Sequence, residues 1–592
     1  MEKLLIDKVV EGIKHLYGVK IDEKLVQVQK TRQEFAGDLT VVVFPFLKIS
    51  KKSPELTAGD IGNFIKENIE EIVGYNVVKG FLNFSITSTY WLNVFNTISK
   101  TTNYGFAKPN SGNTIMVEYS SPNTNKPLHL GHLRNNFLGY AVAEILKALG
   151  HQVVKTQIIN DRGIHICKSM LAWQKFGKGE TPENSGLKGD HLVGKYYVEF
   201  DKAYKEEIKT LVEKGVDKEL AEKEASIFVK AQEMLRKWED GDEEVRTLWK
   251  KMNSWVYDGF AVTYQTMGVN FDELYYESDT YLLGKDVVAE GLAKKIFYQK
   301  EDNSVWCDLS SEKIDDKLLL RSDGTSVYMT QDLGTAIERY KKHPDLSGMI
   351  YTVGNEQNHH FKVLFAILKK LGYQWADGCF HLSYGMIELP EGKMKSREGT
   401  VVDADDLMEM MVNDAKEMTQ NRGQIEGMTN EEKEALYATI GLGSLKYFLL
   451  KVDPKKGMVF NPAESIDLNG NTGPFIQYAH ARIQSLLRKA AELGFSKKYQ
   501  AVEMNEKELE LIKLMNDYPV IIKEAGANYS PALIANYIFN LVKEFNNFYQ
   551  TVPILKEEDL EKLAFRICLS ETIGKIIKST MSLLGVKVPD KM

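Results

Sequence analysis

Two histidines, His129 and His132, lie three residues apart at the start of a predicted helix, and Gly131 stands between them. The preceding run TIMVEYSS predicts a strand over about residues 114–119, and the run that begins at the histidines has helical periodicity up to Gly150. A helix N-terminus offers unpaired N–H groups and the positive end of the helix dipole, which suit a phosphate. The glycine lets a flat base or a ribose approach the backbone closely. The motif therefore predicts a nucleotide site, and its alternative is a pair of histidines that cap the helix.

A second motif lies about 260 residues further along the chain, in a predicted loop with a glycine on each side. It consists of Lys393, Met394, Lys395, Ser396 and Arg397. A loop of this composition suits the stabilisation of charge that develops on pyrophosphate as it leaves a nucleotide. Alone the motif is weak, because basic surface loops are common. Together with the first motif it predicts chemistry at a nucleotide phosphate.

The elements around both motifs predict an α/β fold of the nucleotide-binding type. A strand, a loop, a helix and the strand HQVVKTQIIN follow one another around His129, which is a βαβ unit. Residues from about 170 to 270 are rich in Lys and Glu and helical throughout, so they predict a helical insertion with a solvated face. Strand patterns resume in FDELYYESD, GMIYTVG and HLSYGMIEL, and the chain is helical from about residue 404.

Composition and charge limit the class of protein. The 592 residues are 43% hydrophobic and 27% charged, which is ordinary for a globular chain of several domains. The net charge of −7 argues against coating nucleic acid by bulk charge, although it allows a local basic groove. The four cysteines are far apart, so neither a disulfide framework nor a zinc pattern is expected. Without an apolar run of membrane length, the sequence predicts a cytoplasmic protein with no membrane association.

The residues around the first motif resemble one family in detail. Residues 118–134 read EYSSPNTNKPLHLGHLR, which is similar to the extended block of the arginyl-tRNA synthetase family of class I aminoacyl-tRNA synthetases. The resemblance continues in YMTQDLG, GNEQNHH, NTGPFIQYAHARI and the terminal LLGVKVPDKM. The histidine motif and the basic loop match the paired HIGH and KMSKS signatures of the class. The resemblance covers nearly the whole chain, least securely in the helical insertion.

The resemblance implies a binding pocket for arginine. A guanidinium group is a planar fork of donors that prefers carboxylates, and Glu118 and Asp332 match the family positions that bind it. Tyr328 matches the hydroxyl partner of that group. Asn123 and Gln357 match positions that orient the α-amino and α-carboxylate end. Lysine has no such fork and would leave these groups unmet, which predicts specificity for arginine.

The resemblance also implies residues for ATP and for catalysis. The implied ATP-binding residues are His129, Gly131, His132, Gly354 and Met394. The implied catalytic residues are Lys126, His129, His132, Lys393, Lys395 and Ser396. The sequence departs from the class pattern at Ser396, where the second lysine of KMSKS is expected. Lys126 matches an upstream lysine that is thought to replace it in the family, and Lys395 is the other candidate.

The implied architecture has three parts. Residues 1–108 are an additional α+β domain that meets the outer corner of the tRNA, and residues 109–464 are a Rossmann-type catalytic domain with a helical insertion over about 174–268. Residues 465–592 are an all-helical anticodon-binding domain. Tyr549 and Met592 match positions near the anticodon; their alternatives are a core tyrosine and a frayed chain end.

The activity implied by the resemblance has two steps. L-Arginine reacts with ATP to give arginyl-adenylate and pyrophosphate, and the arginyl group then passes to the terminal adenosine of tRNA(Arg). Mg²⁺ accompanies ATP, no structural metal is expected, and the chain is expected to be a monomer that activates arginine poorly without tRNA. One alternative is a nucleotidyltransferase that activates a small molecule without tRNA. Another is a synthetase relative kept as an RNA-binding or scaffold protein.

Overall fold

The computed structural model describes residues 1–32, 34–388, 390, 402–420, 427–500 and 502–592. The chain divides into two compact units that are each built from separate segments. Unit 1 contains residues 1–104, 486–517 and 543–573, and unit 2 contains residues 105–485, 518–542 and 574–592. No helix in the described ranges combines the length and the apolar character that a membrane crossing requires.

The N-terminal part of unit 1 is an α+β fold, as predicted. Its helices are α1 (Glu2–Tyr17), α2 (Leu47–Ser50), α3 (Pro54–Asn68) and α4 (Ser88–Lys100). Its strands are β1 (Val28–Lys30), β2 (Leu39–Val42), β3 (Ile72–Val78) and β4 (Phe81–Ile86). The four strands form an antiparallel sheet in the order β1-β2-β4-β3. Lys79 and Gly80 both have positive φ, so they form the predicted turn of the β3–β4 hairpin.

The later segments of unit 1 pack on this fold through aromatic and ionic contacts. The Phe95 and Phe565 rings meet edge to face with their centroids 5.3 Å apart. Lys513 Nζ lies 2.5 Å from Asp38 Oδ1, and Lys30 pairs with Asp517. Unit 1 is therefore assembled from the N-terminal fold and two helical segments that are distant in sequence.

The centre of unit 2 is a five-stranded parallel sheet. Its strands are β5 (Thr114–Glu118), β6 (Gln152–Ile159), β7 (Glu273–Tyr276), β11 (Leu346–Gly354) and β12 (Cys379–Tyr384). The order is β12-β11-β5-β6-β7, and every neighbouring pair is parallel. The strands β5, β6, β11 and β12 were expected from apolar runs, and β7 from the segment FDELYYESD. In such a sheet ligands bind beyond the carboxyl ends of the strands, so this edge is the place for a site.

Helices connect the strands of the sheet. Those around the sheet are α5 (Leu130–Ala148), α12 (Glu277–Thr280), α13 (Gly284–Ala293), α14 (Tyr328–Lys342) and α15 (Asn358–Lys370). Short 3-10 turns lie at Glu23–Leu25, Phe44–Phe46, Ser310–Glu312, Asn355–Gln357 and Gln374–Gly378. Leu333, Ile337, Met349 and Leu364 belong to one buried cluster, so the core lies between the sheet and the helices α14 and α15.

The insertion between β6 and β7 is helical, as predicted. It consists of α6 (Ile164–Phe176), α7 (Pro182–Ser185), α8 (Gly189–Glu213), α9 (Lys218–Glu224), α10 (Ser226–Glu239) and α11 (Glu243–Met267). The helices α8 and α11 approach so closely that a Cβ at Gly189 would lie 2.0 Å from the Trp255 carbonyl oxygen. Glycine at this position is therefore a requirement of the packing.

Two small sheets were not predicted. The strands β8 (Phe297–Gln299), β9 (Val305–Cys307) and β10 (Lys317–Leu320) form an antiparallel sheet in the order β10-β9-β8. Strands β13 (Ile387–Glu388) and β14 (Met458–Val459) form a parallel pair. The expectation of helix throughout the chain after residue 404 is therefore wrong at β14. These strands have two to four residues, which is too short for an alternating pattern to show in the sequence.

The remaining chain is helical. It contains α16 (Ala404–Gln420), α17 (Asn430–Leu450), α18 (Pro462–Ile466), α19 (Gly473–Glu492), α20 (Glu506–Ala527), α21 (Pro531–Thr551) and α22 (Leu560–Leu583). In unit 2 the chain after α22 is held by side chains that donate to its carbonyls: Lys446 Nζ to Gly585 at 2.7 Å, and Gln477 Nε2 to Lys587 at 2.8 Å. The terminal segment is thereby ordered.

Arg134, in helix α5, joins two loops of unit 2 from within the core. Its side chain is 1% exposed and donates to the carbonyl oxygens of Gly385 at 2.7 Å and Lys456 at 2.8 Å, with longer bonds to Met386 and Pro454. A planar guanidinium has enough donors to serve all four carbonyls. One side chain from the histidine-motif helix therefore holds the loops around β13 and β14 together.

We expect Arg134→Leu to lower the free energy of unfolding by about 3 kcal/mol, because buried carbonyls would lose their donors. Chemical denaturation followed by circular dichroism measures this change. Arg236→Leu is the control, since Arg236 is an exposed arginine in helix α10. Equal stability of the two variants would contradict the role of Arg134.

Candidate active site

The two motif histidines cap the N-terminus of α5. His129 Nδ1 accepts a hydrogen bond from the Gly131 amide at 3.1 Å, and His132 Nδ1 accepts from the His129 amide at 3.1 Å. The two ring centroids are 3.9 Å apart. Because Nδ1 accepts in both rings, the proton of each neutral imidazole lies on Nε2. The helix cap that stood as the alternative therefore exists, and it leaves each histidine with an Nε2–H donor.

Burial keeps both histidines neutral. Desolvation, aided by the nearby charge of Lys126, lowers the pKa of His129 to about 4. Desolvation together with His129 and Lys126 lowers the pKa of His132 well below its ordinary value. Burial also lowers the pKa of the Lys126 ammonium. At pH 7 the motif therefore presents neutral donors beside one half-buried lysine.

The chain after the second motif pairs with the first. The Leu130 amide donates to the Val402 carbonyl at 3.2 Å, the Ala404 amide donates to the Leu128 carbonyl at 2.9 Å, and His129 forms an antiparallel bridge with Asp403. Residues 402–404 therefore lie beside the histidine motif. The predicted site residues Lys393, Met394, Lys395 and Ser396 lie outside the described residues.

Four of the five predicted arginine-binding residues line one cavity of about 1010 Å³ at the carboxyl edge of the sheet. Asn123 follows β5 and forms a parallel bridge with Asn160 after β6. Tyr328 and Asp332 lie one turn apart on α14, and Gln357 lies in the turn after β11. The cavity therefore joins side chains from three segments that are far apart in sequence.

The loop between β5 and the cavity is held in an unusual conformation. Ser120 has a φ of 71° and is fully buried. The Asn135 side chain accepts from its amide at 2.6 Å, and its hydroxyl lies 2.7 Å from that of Tyr264. A non-glycine residue in this region is strained and persists where its surroundings fix it. This backbone conformation turns the chain out of the sheet towards Asn123.

The fifth predicted arginine-binding residue, Glu118, is not among the residues that line the cavity. Its side chain is buried at the end of β5 and forms an ion pair with Arg339 on α14. The Arg339 guanidinium also lies 4.5 Å from the centroid of the Tyr275 ring. An uncompensated charge in the interior is costly, so the Glu118 carboxylate is committed to an internal arginine.

A second carboxylate of the cavity was missed in the sequence. Glu277 begins α12 directly after β7, at the same edge of the sheet, and lines the cavity with Asp332. Burial raises the pKa of Glu277 to about 7, and the charges of Asp161 and Asp332 add to the rise while Arg162 opposes it. The signal that could have found it is its place immediately after a strand of the parallel sheet.

Arg162 and His360, which also line the cavity, have partners within the protein. Arg162 Nη2 lies 2.7 Å from Glu239 Oε1, and its guanidinium lies 3.9 Å from the centroid of the Tyr281 ring. His360 Nε2 lies 2.5 Å from Asp332 Oδ2, while the Asp332 side chain remains 43% exposed. A cationic ligand in this cavity could therefore meet the partly exposed Asp332 and the desolvated Glu277 together.

Gly354 ends β11 at the same edge of the sheet. It is buried, and a Cβ there would lie 2.4 Å from Glu356 Oε2. Asn135, in helix α5, donates to the Thr352 carbonyl at 2.6 Å, which ties the motif helix to this strand. The close atom is the end of an exposed, flexible side chain, so packing alone does not require glycine at the end of β11.

In the described part of the chain one group of side chains has the spacing of metal ligands: Asp190, His191 and Asp405, whose ligand atoms lie within 4.8 Å of one another. Lys188 already lies in this group. Its ammonium pairs with Asp405 and lies 3.2 Å from Asp190 Oδ2. The cation in this cluster is therefore a lysine of the protein itself.

The two predicted tRNA-binding residues lie in different surroundings. Tyr549 is 37% exposed on α21, and its ring centroid lies 6.1 Å from that of Phe545. Met592 packs against a small apolar cluster formed by Ala415, Leu436 and Ile440. The terminal residue is thus packed against α16 and α17, which argues against the alternative of a frayed chain end.

Comparison with known proteins places the chain in a family. Residues 93–461 match the model described as tRNA synthetases class I (R), catalytic domain, and residues 476–592 match the DALR anticodon binding domain. The arginine–tRNA ligase of Bacteroides thetaiotaomicron is 58% identical over 596 residues, and the match covers all of both chains. The chain belongs to the arginine–tRNA ligase family. The arginine–tRNA ligase of Flavobacterium psychrophilum is 57% identical over 604 residues, again with full coverage of both chains.

Solved structures agree on the fold of this family. The arginyl-tRNA synthetase of Thermus thermophilus superposes with a TM-score of 0.80 at 23% identity and covers all of both chains. That of Plasmodium falciparum superposes with a TM-score of 0.75 at 19% identity, covering 100% of this chain and 99% of its own. The predicted fold class, an α/β Rossmann-like catalytic domain with an N-terminal α+β domain and a helical anticodon-binding domain, is confirmed, as is the predicted family.

Proposed function

We propose that the protein is an arginine–tRNA ligase. It activates L-arginine with ATP, giving arginyl-adenylate and pyrophosphate, and transfers the arginyl group to the 3′-terminal adenosine of tRNA(Arg) with release of AMP. The observation that carries the proposal is the cavity that joins Asp332 and the desolvated Glu277 at the carboxyl edge of the sheet. This is an environment for a planar cation in a chain that shares its full length with arginine–tRNA ligases.

The arginine end of the proposed site follows from the cavity. Asp332 and Glu277 bind the guanidinium, and the Tyr328 hydroxyl adds a hydrogen bond. Asn123 and Gln357 orient the α-amino and α-carboxylate groups. The cavity lining and the charges support this assignment, whereas the pairing of Glu118 with Arg339 assigns Glu118 the role of holding α14, which carries Tyr328 and Asp332.

The ATP end of the proposed site uses the start of α5. The Nε2–H donors of His129 and His132 contact phosphate oxygens, and Gly131 and Gly354 leave room for the adenosine. The second motif supplies Met394 beside the base and supplies Lys393, Lys395 and Ser396 to the phosphates. Lys126 neutralises phosphate charge in place of the missing lysine. Mg²⁺ accompanies ATP, held mainly by phosphate oxygens and water.

The proposed mechanism needs no nucleophilic side chain. One carboxylate oxygen of arginine attacks the α-phosphorus in line, a P–O bond forms, and the bond to the leaving pyrophosphate breaks. A hydroxyl of the terminal adenosine then attacks the acyl carbon, and the bond between that carbon and the AMP oxygen breaks. The leaving AMP takes up the hydroxyl proton. Alignment of the reactants and stabilisation of phosphate charge supply the acceleration.

The proposal extends to the whole chain. We divide it into an additional domain (1–108), a catalytic domain (109–464) with its insertion (about 174–268), and an anticodon-binding domain (465–592). Tyr549 stacks on a splayed anticodon base. Met592, held by its apolar cluster, lies near the anticodon. The protein works as a monomer in the cytoplasm, where its three substrates are found together.

An ATP–pyrophosphate exchange assay tests the function. We expect exchange to require arginine, to be lost with lysine in its place, and to be weak without tRNA(Arg). Exchange that is independent of arginine would favour the nucleotidyltransferase alternative. Binding of tRNA(Arg) without any exchange would favour the non-catalytic alternative.

We expect Lys126→Ala to slow arginine-dependent exchange roughly 100-fold with little change in the KM for arginine, because one charge at the phosphates is removed. Lys395→Ala, assayed in parallel, addresses the other candidate lysine. Unchanged exchange in Lys126→Ala together with a large loss in Lys395→Ala would assign the role to Lys395.

Glu277 makes arginine binding depend on pH. Its pKa is about 7 without ligand, and a bound guanidinium favours the carboxylate. Below pH 7 arginine must displace a proton, so we expect the KM for arginine to rise as the pH falls from 8 to 6. Glu277→Gln should raise this KM roughly 10- to 100-fold and remove its pH dependence.

The control for Glu277→Gln is Asp323→Asn. Asp323 lines the same cavity but is exposed and bonded within its own turn to Thr325. For both variants, the KM for arginine is measured in the exchange assay at three pH values. A pH dependence that persists in Glu277→Gln would remove Glu277 from the arginine site.

A further inference from the structure

Helix α8, within the helical insertion, contacts the loop that precedes the histidine motif and the start of α16. Gly194 lies against the loop before the motif, where a Cβ would come within 2.8 Å of Pro127 Cδ. Lys188 precedes α8, and Asp190 and His191 lie in its first turn. Lys188 and His191 contact Asp405, and Lys188 also contacts Asp190. Asp405 is in the first turn of α16, immediately after the chain that pairs with the motif.

The charges at this junction form one connected cluster. Lys188 Nζ donates to Asp405 and to Thr263 Oγ1, the latter at 2.6 Å, and lies 3.2 Å from Asp190 Oδ2. His191 Nε2 lies 3.3 Å from Asp405 Oδ2 and 3.4 Å from Asp403 Oδ2. The pairing to Lys188 and His191 lowers the pKa of Asp405 to about 2, against the effect of its burial.

Asp190 is the fully buried member of the cluster. Its side chain is fully buried, and neither of its oxygens accepts a hydrogen bond, so its contact within the described residues is with Lys188. Gly259, in α11, lets Asp190 fit, because a Cβ there would lie 2.4 Å from Asp190 Oδ1. A buried carboxylate is costly without its cation, so Lys188 is held where it reaches both Asp190 and Asp405.

The partner of this cluster is the segment that lies beside His129. Asp403 Oδ1 caps α16 by accepting from the Asp405 amide at 2.8 Å and the Asp406 amide at 3.3 Å. The backbone on either side of Asp403 hydrogen-bonds to Leu128 and Leu130. The position of residues 402–405 is therefore set from one side by the histidine motif and from the other by the insertion.

We propose that Lys188, Asp190 and His191 form a clamp that fixes residues 402–405 against His129 and thereby positions the ATP end of the site. The proposal rests on the proposed function, since it assigns the insertion a part in adenylate formation. None of the clamp residues touches a substrate, so they are positioning residues. Their effect reaches ATP through the backbone of residues 128–130.

The alternative is that the cluster only stabilises the fold. Buried ion pairs contribute little net stability compared with apolar packing, whereas they do fix geometry. The two alternatives predict different effects on the kinetics with ATP and with arginine. A loss of general stability affects ATP and arginine alike, whereas a misplaced His129 backbone affects ATP selectively.

Asp405→Asn tests the clamp, since it removes the charge that Lys188 and His191 hold while keeping the size of the side chain. Asp406→Asn is the matched control: the same change one residue later, at an exposed position. Asp405→Glu restores the charge. Exchange kinetics with each substrate varied, thermal denaturation and tRNA(Arg) binding are measured for all three variants and the wild-type chain.

For Asp405→Asn we expect kcat/KM for ATP to fall about tenfold, because small misplacements near a reacting group are costly. The KM for arginine and the affinity for tRNA(Arg) should stay within twofold, and Asp405→Glu should recover part of the loss. Kinetics equal to those of Asp406→Asn, or equal losses for ATP and arginine, would overturn the clamp alone. A wild-type chain without arginine-dependent exchange would overturn both the proposed function and the clamp.

Discussion

Parallel pairing of β5 with strands on both sides is the constraint on which the rest of the site depends. Glu118 is in register with Thr156 of β6 and with Tyr351 of β11, so all three strands end at one edge. The segments after three of these strands carry site residues: the histidine motif after β5, Glu277 after β7 and Gln357 after β11. Shifting one strand by two residues would move its following loop by about 7 Å and take that residue out of reach.

At this edge the protein buries charge in pairs and leaves selected groups unpaired. Glu118 with Arg339 and Arg162 with Glu239 are compensated internally. Glu277 and Lys126 are desolvated and form no ion pair within the described residues; burial raises the pKa of Glu277 to about 7 and lowers that of Lys126. In a site of low dielectric these are the groups that gain most from a ligand of opposite charge. A site for a cationic amino acid and a polyphosphate requires both a carboxylate and a lysine whose pKa values are shifted in opposite directions by burial.

The sequence predicted much of the fold, because its strands and helices are long enough to show their periods. It also predicted that Asn123, Tyr328, Asp332 and Gln357 would meet, through motifs that match a family position by position. It could not show which carboxylate faces the cavity, since Glu118 ends one strand of the sheet and Glu277 directly follows another. That distinction is decided by Arg339, which lies more than 200 residues from Glu118 in sequence and meets it only in the fold. The strands β8 to β10 escaped detection because three or four residues are too few for an alternating pattern to stand out.

The insertion shows how a charged sequence hides a structural role. Its Lys and Glu residues predicted a solvated face, and most of them are exposed. At the start of α8, however, the approach of α11 at Gly189 and Gly259 encloses Asp190 completely. Nothing in the spacing of charges distinguishes that aspartate from its exposed neighbours, because burial comes from a helix that follows some 60 residues later. A buried carboxylate and its lysine fix the insertion in one position on the catalytic fold. The insertion is therefore held within hydrogen-bonding distance of the chain that lies beside His129.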